Sequence, residues 1–300
     1  MTLRMTLALL LIIPAAMTYP WHSIHHRALL AVAVAVVLIL FAPWRGAFVT
    51  TLIGRRWSVW RRNHAKGQAV AADRVSVVLR VEAAQVDTVP LSDLAGYLQR
   101  YGVRCESVRI ISRDADGQRD TWVSLIVDAA ANLAALQARS SDLPLAETAE
   151  VLGRRLAEQL RECGLTVSPE KNPDAPLRTD AREGWRAVRD DQGYLTGYGL
   201  ASQALPEGLA ELKSDGELWT VLELSGAPAD PVVAAACAVR TAQRPAAAAV
   251  AGLVTASGLQ RPLLQAMDPQ SVRRLPITPN RLPAGLSWPV GAGEAAVSRT

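Results

Sequence analysis

The chain has 300 residues and a mass of 32.2 kDa, enough for about two folded domains. Half of the residues are hydrophobic, the mean hydropathy is +0.12, and only three residues are cysteine, which excludes a disulfide-stabilised scaffold. The net charge of +4 is unevenly distributed: residues 1–72 hold eight basic and no acidic residues, whereas the rest hold 24 basic and 28 acidic ones. This negative balance argues against nucleic-acid binding by the main part of the chain.

Two apolar runs near the N-terminus account for the positive hydropathy. They cover residues 3–19 and 28–44, and each is about 25 Å long as a helix, at the short end for crossing a hydrocarbon core of roughly 30 Å. We therefore expect a two-helix transmembrane hairpin over 1–44. Basic residues after the second run would keep both termini and the domain that follows cytoplasmic. The boundary residues would be Tyr19, Trp21 and Trp44, whose amphipathic rings suit the lipid–water interface.

The first apolar run has an alternative interpretation as a cleaved signal peptide. Arg4 precedes the apolar stretch, and the small residues Ala15 and Ala16 follow it. Met17 stands where a cleavage motif would have a small residue, so the uncleaved membrane helix is favoured. Cleavage would reverse the predicted topology.

Residues 45–72 predict a basic juxtamembrane helix and linker. Apolar side chains occupy about half of the helical wheel and arginines most of the other half. We define the basic collar as Arg45, Arg55, Arg56, Arg61 and Arg62. Two interpretations stay open: the collar docks on anionic lipid or an acidic partner, or it is the ordinary basic flank of a membrane helix.

Residues 73–170 predict a first α/β unit in which strands and helices alternate. Period-2 patterns indicate strands, 3.6-residue patterns indicate helices, and Asp114–Gly117 is typical of a hairpin turn. The order is β-α-β-β-α-β, so we expect an α+β fold of ferredoxin-like character. The predicted elements are the strand Arg74–Val81, a helix around Leu94–Tyr101, the strands Val103–Ser112 and Asp120–Asp128, helices Asn132–Ala138 and Leu145–Cys163, and the strand Leu165–Val167.

Residues 171–270 predict a second, similar unit, and 271–300 a flexible tail rich in Pro and Gly. The second unit follows a Pro- and Asp-rich break over 169–180. Its expected elements are the hairpin strands Trp185–Val188 and Tyr194–Leu200, a short helix Leu209–Leu212, strands Glu217–Leu224 and Pro231–Thr241, and a helix near Leu259–Met267.

Catalytic and cofactor motifs are scarce. The chain has no P-loop and no G-x-S-x-G motif, and all four histidines precede residue 65, which removes the usual general base from the main domain. Asp114 and Asp116 form a D-x-D pair that could hold a divalent cation in a nucleotide-sugar-dependent enzyme, although the same residues suit a hairpin turn. His22, His25 and His26 are more typical of a solvated loop than of a metal site. We predict no catalytic residue, metal or cofactor.

Several short segments, taken together, resemble the EccE family of membrane components of type VII (ESX) secretion systems in actinobacteria. The resemblance runs from the start of the chain to about residue 245 and is closest to the iron- and siderophore-linked branch. The segments that carry it are Thr50–Arg55, Val77–Val81, Gly96–Leu98, Arg100–Gly102, Val108–Ile110, Asn132–Ser140, Glu147–Thr148 and Val151–Leu156.

The resemblance implies a non-catalytic structural subunit of an inner-membrane core complex. Its partners would be EccB, EccD and the ATPase EccC, together with the lipid bilayer, and no nucleic acid or small-molecule substrate is expected. An ATPase partner would agree with the missing P-loop. The alternative from the residues themselves is a membrane-tethered enzyme that uses Asp114 and Asp116.

Overall fold

A computed structural model describes residues 9–10, 12–14, 17, 19, 24–41, 43–44, 47–64, 73–200, 216–243 and 253–291. The chain divides into two compact units, residues 1–64 and residues 65–300.

In the described residues 24–64 of the first unit, two helices are joined by a short strand pair, and residues 9–10, 12–14 and 17 are also helical. Helix α1 (Ile24–Phe41) is followed by strands β1 (Pro43–Trp44) and β2 (Ala47–Phe48) and then by helix α2 (Val49–His64). The strands pair antiparallel, with Pro43 opposite Phe48 and Trp44 opposite Ala47.

The predicted transmembrane hairpin over 1–44 is wrong. Among the residues that the structure describes, no helix combines the length and the apolar character needed to cross a membrane. After Ile24, the first turn of helix α1 holds the polar residues His25, His26 and Arg27. Its continuous apolar part, 28–41, is therefore about 21 Å long, well below a hydrocarbon core of roughly 30 Å. Most of the predicted first span, 3–19, lies outside the described residues.

The second unit is built on one large antiparallel sheet. Nine strands follow one another in the spatial order β8-β3-β7-β6-β12-β13-β11-β10-β9, and β5, β14 and β15 extend the edges of β6, β11 and β13, which makes twelve strands among the described residues. The strands are β3 (Arg74–Glu82), β5 (Gln99–Arg100), β6 (Val103–Ala115), β7 (Gln118–Asp128), β8 (Thr166–Pro169), β9 (Arg182–Glu183), β10 (Val188–Asp190), β11 (Gly193–Leu200), β12 (Leu218–Ala227), β13 (Asp230–Thr241), β14 (Leu253–Thr255) and β15 (Asn280–Arg281).

A few helices and one small strand pair accompany the sheet. Strands β4 (Thr88–Pro90) and β16 (Ser287–Pro289) pair with each other. In the part of this unit that the structure describes, the α-helices are α3 (Leu91–Ala95), α4 (Leu133–Gln137), α5 (Leu145–Glu162) and α6 (Gln260–Ala266), and single 3₁₀ turns occupy Gly96–Leu98 and Ala130–Asn132.

Helices α3 and α5 belong to the core on one face of the sheet. Helix α5 has an apolar stripe at helical spacing, and its buried residues include Leu152, Leu156 and Leu160. They share one core with alternate residues of the strands, such as Leu79, Ile110 and Leu125. Burial of this stripe, rather than helix propensity, stabilises α5.

The other face of the sheet is covered by α6 and by the segment that follows it. Trp122 and Trp219 stack on this face with ring centroids 5.8 Å apart. We call residues 266–275 the strap. Backbone carbonyls of the strap accept hydrogen bonds from the sheet: Ser124 Oγ donates to Pro269 O at 2.6 Å, and Ser76 Oγ to Gln270 O at 2.6 Å.

The fold class predicted from the sequence is wrong, and the sheet shows why. The predicted strands and helices between 74 and 169 occur in the predicted chain order, but they do not close a small α+β domain. Strand β6 pairs with β7 on one edge and with β12 on the other, so the sheet continues into residues 218–241. The result is mainly one large antiparallel sheet with few helices. The predicted helix Leu209–Leu212 lies outside the described residues.

Candidate interaction site

The predicted membrane-boundary residues are only partly described. Tyr19 is exposed, Trp44 lies in β1, and Trp21 lies outside the described residues. Their assignment to a boundary stays a prediction.

Four of the five collar arginines lie on α2. Arg56 and Arg61 are exposed, Arg55 and Arg62 are half-buried, and Arg45 is outside the described residues. Two exposed indoles, Trp57 and Trp60, share this helix. The helix therefore presents arginine and tryptophan together, and the role of the collar stays a prediction.

The Asp114/Asp116 pair lies at a tight turn between β6 and β7. Asp116 and Gly117 both have positive φ, +53° and +77°, as a two-residue type I′ hairpin requires. The Asp114 carboxylate accepts two hydrogen bonds from Arg119, at 2.6 and 2.7 Å. Within the described residues, no cluster of three or more His, Cys, Asp or Glu side chains is arranged to hold a metal ion. The geometry is that of a turn closed by an ion pair.

The cysteines and histidines that the structure describes do not form a metal-binding group either. Cys105 and Cys237 are buried, and burial raises the pKa of each thiol to about 12, so both are uncharged at neutral pH. Cys163 is exposed, and all three are free. His25 and His26 lie in the first turn of α1, whereas His22 is outside the described residues.

A different group of residues forms a groove beside α5. On one side of it, Tyr101 and Gly102 make the two-residue turn between β5 and β6, with Arg100 opposite Val103. Both turn residues have positive φ, +54° for Tyr101 and +74° for Gly102. Glycine adopts this conformation freely, whereas a bulky aromatic residue does so only at a cost. Strained residues of this kind are concentrated at functional sites.

On the other side of the groove, α5 contributes Arg154 and Arg155. The Arg155 guanidinium carbon lies 4.4 Å from the centre of the Tyr101 ring, and that of Arg100 lies 5.3 Å from it. The groove has a volume of about 780 Å³ and is also lined by Glu158. Two segments that carry the family resemblance, Arg100–Gly102 and Val151–Leu156, therefore meet at one surface feature.

Tyr97 anchors the floor of this cluster. Its ring lies 4.8 Å from the Arg100 guanidinium carbon, and its hydroxyl donates to Gln159 Oε1 at 3.1 Å. Burial raises the pKa of Tyr97 to about 12, and the nearby arginine charge opposes this shift. The phenol is therefore neutral at physiological pH and positions Arg100 and α5 relative to each other.

A second polar cluster is fully buried beneath the strap. Arg109 on β6 and Glu223 on β12 lie directly opposite each other, and Nε of Arg109 donates to Oε2 of Glu223 at 2.8 Å. The Arg109 guanidinium also donates to the carbonyls of Ala266, Ser271 and Arg273. Burial lowers the pKa of Arg109, and the carboxylate opposes that shift. These bonds hold the strap on the sheet.

Sequence reasoning missed both clusters, although signals for one of them were present. Arg109 lies between Val108 and Ile110, and Glu223 lies between Leu222 and Leu224, so each is a charged residue flanked by apolar ones in a predicted strand. Opposite charges at such positions indicate a buried pair. The groove has no comparable signal, because its two walls are more than 50 residues apart in the sequence and each looks like an ordinary surface segment.

Comparison with known proteins shows which protein family the chain resembles. Residues 115–200 match the family model described as "Putative type VII ESX secretion system translocon, EccE". A protein of Mycolicibacterium smegmatis named "ESX-3 secretion system protein EccE3" is 46% identical over 289 residues, which cover 95% of this chain and 93% of that protein. A protein of the same name from Mycobacterium tuberculosis is 43% identical over an alignment of 321 residues, covering 99% of this chain and 97% of that protein.

These matches confirm the resemblance seen in the sequence, including its iron-linked branch, and the family is a secretion-system component rather than an enzyme family. With more than 40% identity over nearly the whole length of its relatives, the chain belongs to the EccE family of type VII (ESX) secretion systems, in the ESX-3 branch.

Proposed function

We propose that this chain is a structural subunit of an ESX-3 translocon and acts through protein contacts. The observation that carries this proposal is the identity of 43–46% to proteins named as ESX-3 secretion system components, over nearly the full length of both chains. The sheet supports it, because a large rigid sheet with its strap tied by buried hydrogen bonds suits a scaffold.

The partners we propose are EccB, EccD and the ATPase EccC of the same secretion system. The chain has no P-loop, so the energy for transport would come from another subunit. We place the complex at the inner membrane and the second unit in the cytoplasm.

Affinity purification of the full-length chain in mild detergent tests this assignment. We expect EccB, EccC and EccD to be recovered together with the tagged chain, and the tag to be absent from complexes of other ESX systems in the same cells. Recovery of the chain alone, freely dispersed in the cytosol, would contradict the assignment.

A separate experiment tests whether Asp114 and Asp116 have an enzymatic role. Replacing Asp114 and Asp116 with Asn together removes both carboxylates of the D-x-D pair. Because Asp114 is already paired with Arg119 at 2.6 Å, we expect secretion and complex recovery to stay at the wild-type level. Loss of secretion with an intact complex would favour chemistry at this turn.

A further inference from the structure

The groove beside α5 contains arginines whose charge the domain does not neutralise. Within the described part of the chain, Arg100, Arg154 and Arg155 form no ion pair with a carboxylate, although Glu158 follows Arg154 by one helical turn. Arg100 lies over the rings of Tyr97 and Tyr101, and Arg155 lies over the ring of Tyr101, whereas Arg154 lines the groove beside them. A guanidinium that lies over an aromatic ring keeps its N–H groups able to bind a carboxylate in bidentate geometry.

The backbone at Tyr101 indicates that this arrangement is maintained for a purpose other than stability. Asn or Gly would make the same turn without the cost of placing a bulky residue at φ +54°. The tyrosine at this position orders two arginines around one ring at the rim of the groove. Ordering them in advance lowers the entropic cost of binding an anion.

The charges around the groove select the kind of anion. Glu158 and Glu162 line the same groove as the arginines, and residues 73–300 hold more acidic than basic residues. A membrane surface or a nucleic acid would bring many phosphates against these carboxylates and be repelled. A short peptide can place one or two carboxylates between the arginines and avoid Glu162. A groove of about 780 Å³ is large enough for a few side chains.

We propose that this groove binds an acidic segment of another subunit of the secretion complex. This inference rests on the proposed function, because it needs a protein partner in that complex. Arg154 and Arg155 would bind the carboxylates of the segment, and Tyr101, together with Arg100 near its ring, would form the adjoining wall.

Site-specific photo-crosslinking in the full-length chain tests the proposal. p-Benzoylphenylalanine takes the place of Glu162 at the edge of the groove, and the complex is purified, irradiated and digested for mass spectrometry. We expect adducts with one peptide of another subunit that contains Asp or Glu residues. Combining this label with Arg100→Gln, Arg154→Gln and Arg155→Gln lowers the adduct yield about tenfold or more, and raising the salt concentration lowers it too.

A matched control removes the same charge elsewhere on the sheet. Arg182 in β9, Arg186 in the connection that follows it and Arg189 in β10 are all exposed at the β9 end of the sheet. Arg189 also lies over a tyrosine ring, that of Tyr194, at 5.8 Å. Changing these three to Gln should leave the adduct yield unchanged.

A further variant, Tyr101→Asn, keeps the turn and the fold, as checked by thermal unfolding. It lowers the adduct yield, because Arg100 and Arg155 lose the ring that both of them contact.

The results separate the groove from the assignment as a whole. If the wild-type chain recovers the other subunits but the adducts go to lipid, to a peptide without acidic residues or to nothing, the groove proposal is overturned and the proposed function stands. An equal loss of adduct yield in the variant Arg182→Gln, Arg186→Gln, Arg189→Gln overturns the groove proposal as well. If the wild-type chain recovers no other secretion subunit, both proposals fail.

Discussion

At the scale of single residues, the buried pair Arg109–Glu223 makes the sharpest prediction. The two side chains are 0% and 2% exposed, and removal of Glu223 leaves the Arg109 charge buried without the carboxylate that faces it. We expect Glu223→Ala to lower the free energy of unfolding by about 3–5 kcal/mol. Urea unfolding of the full-length chain in detergent, followed by tryptophan fluorescence, measures this.

Two further variants serve as controls for the buried pair. Asp230→Ala breaks an exposed pair with Arg281, whose side chains are 65% and 83% exposed, and should change the free energy of unfolding by less than about 0.5 kcal/mol. The double variant Arg109→Met, Glu223→Leu should be more stable than Glu223→Ala, because it leaves no buried charge. If Glu223→Ala lowered the free energy of unfolding no more than Asp230→Ala does, the Arg109–Glu223 pair would have no structural role.

At the scale of elements, the packing of α5 on β3 depends on Gly153. A Cβ atom at this position would lie 2.6 Å from Cγ1 of Val77, a short branched side chain that cannot swing away. Although alanine is the better helix former by about 1 kcal/mol, we expect Gly153→Ala to lower the free energy of unfolding by about 1–3 kcal/mol.

The matching control is Gly54→Ala in α2, where nothing lies within 4 Å of the added methyl group. This variant should be neutral or slightly stabilising. Adding Val77→Ala to Gly153→Ala should restore part of the lost stability. A stabilising effect of Gly153→Ala alone would mean that α5 moves away from β3 at little cost.

A second prediction at this scale concerns the ion pairs that tie β6, β10 and β13 together. Glu217 accepts from Arg240 at 2.5 Å and from Arg113 at 2.7 Å, and Arg240 also binds Asp190 at 2.8 Å. Burial alone would raise the pKa of Glu217, but the bonds to Arg240 and Arg113 outweigh it and hold the pKa below the usual 4.5.

A carboxylate whose pKa is lowered by folding stabilises the fold only where it is ionised. We expect Glu217→Gln to lower the free energy of unfolding by about 2 kcal/mol at neutral pH. The difference from wild type should be fully present above pH 4.5 and should vanish as the pH falls through the folded-state pKa. Urea unfolding at several pH values checks this, with Glu82→Gln, half exposed beside Arg80, as the control. A difference that persists at low pH would contradict it.

At the scale of the whole molecule, the collar on α2 tests how the first unit contributes to assembly. Exposed Arg56 and Arg61, with Trp57 and Trp60 on the same helix, are suited to an acidic partner or an anionic lipid surface. Changing Arg55, Arg56, Arg61 and Arg62 to Gln should lower recovery of the other secretion subunits several-fold.

The control for the collar removes four charges at once from the second unit. Arg178, Arg182, Arg186 and Arg189 change to Gln there, and recovery should stay at the wild-type level, as quantified by mass spectrometry of the purified complex. If the collar variant assembles and secretes normally, the charges make no contact in the complex.

The sequence by itself determined the local elements of the main domain. Strand β3 begins at the predicted residue and runs one residue further, and α5 differs from its prediction by one residue. Alternation with period 2 and an apolar stripe at helical spacing are properties of neighbouring residues, so both can be seen in the sequence. Family membership was also visible, because the resemblance is carried by short segments of consecutive residues.

The tertiary structure alone decided how those elements combine. The pairing of β6 with β12 joins residues that are 114 positions apart. No local sequence pattern specifies which of several apolar strands become neighbours in the sheet. The same long-range pairing buries Arg109 against Glu223. The turn at Tyr101 comes to lie beside Arg155 only because α5 packs on β3. The transmembrane hairpin was wrong for a related reason: an apolar run shows where apolar residues are, whereas the ends of a helix are set by its polar residues and its packing.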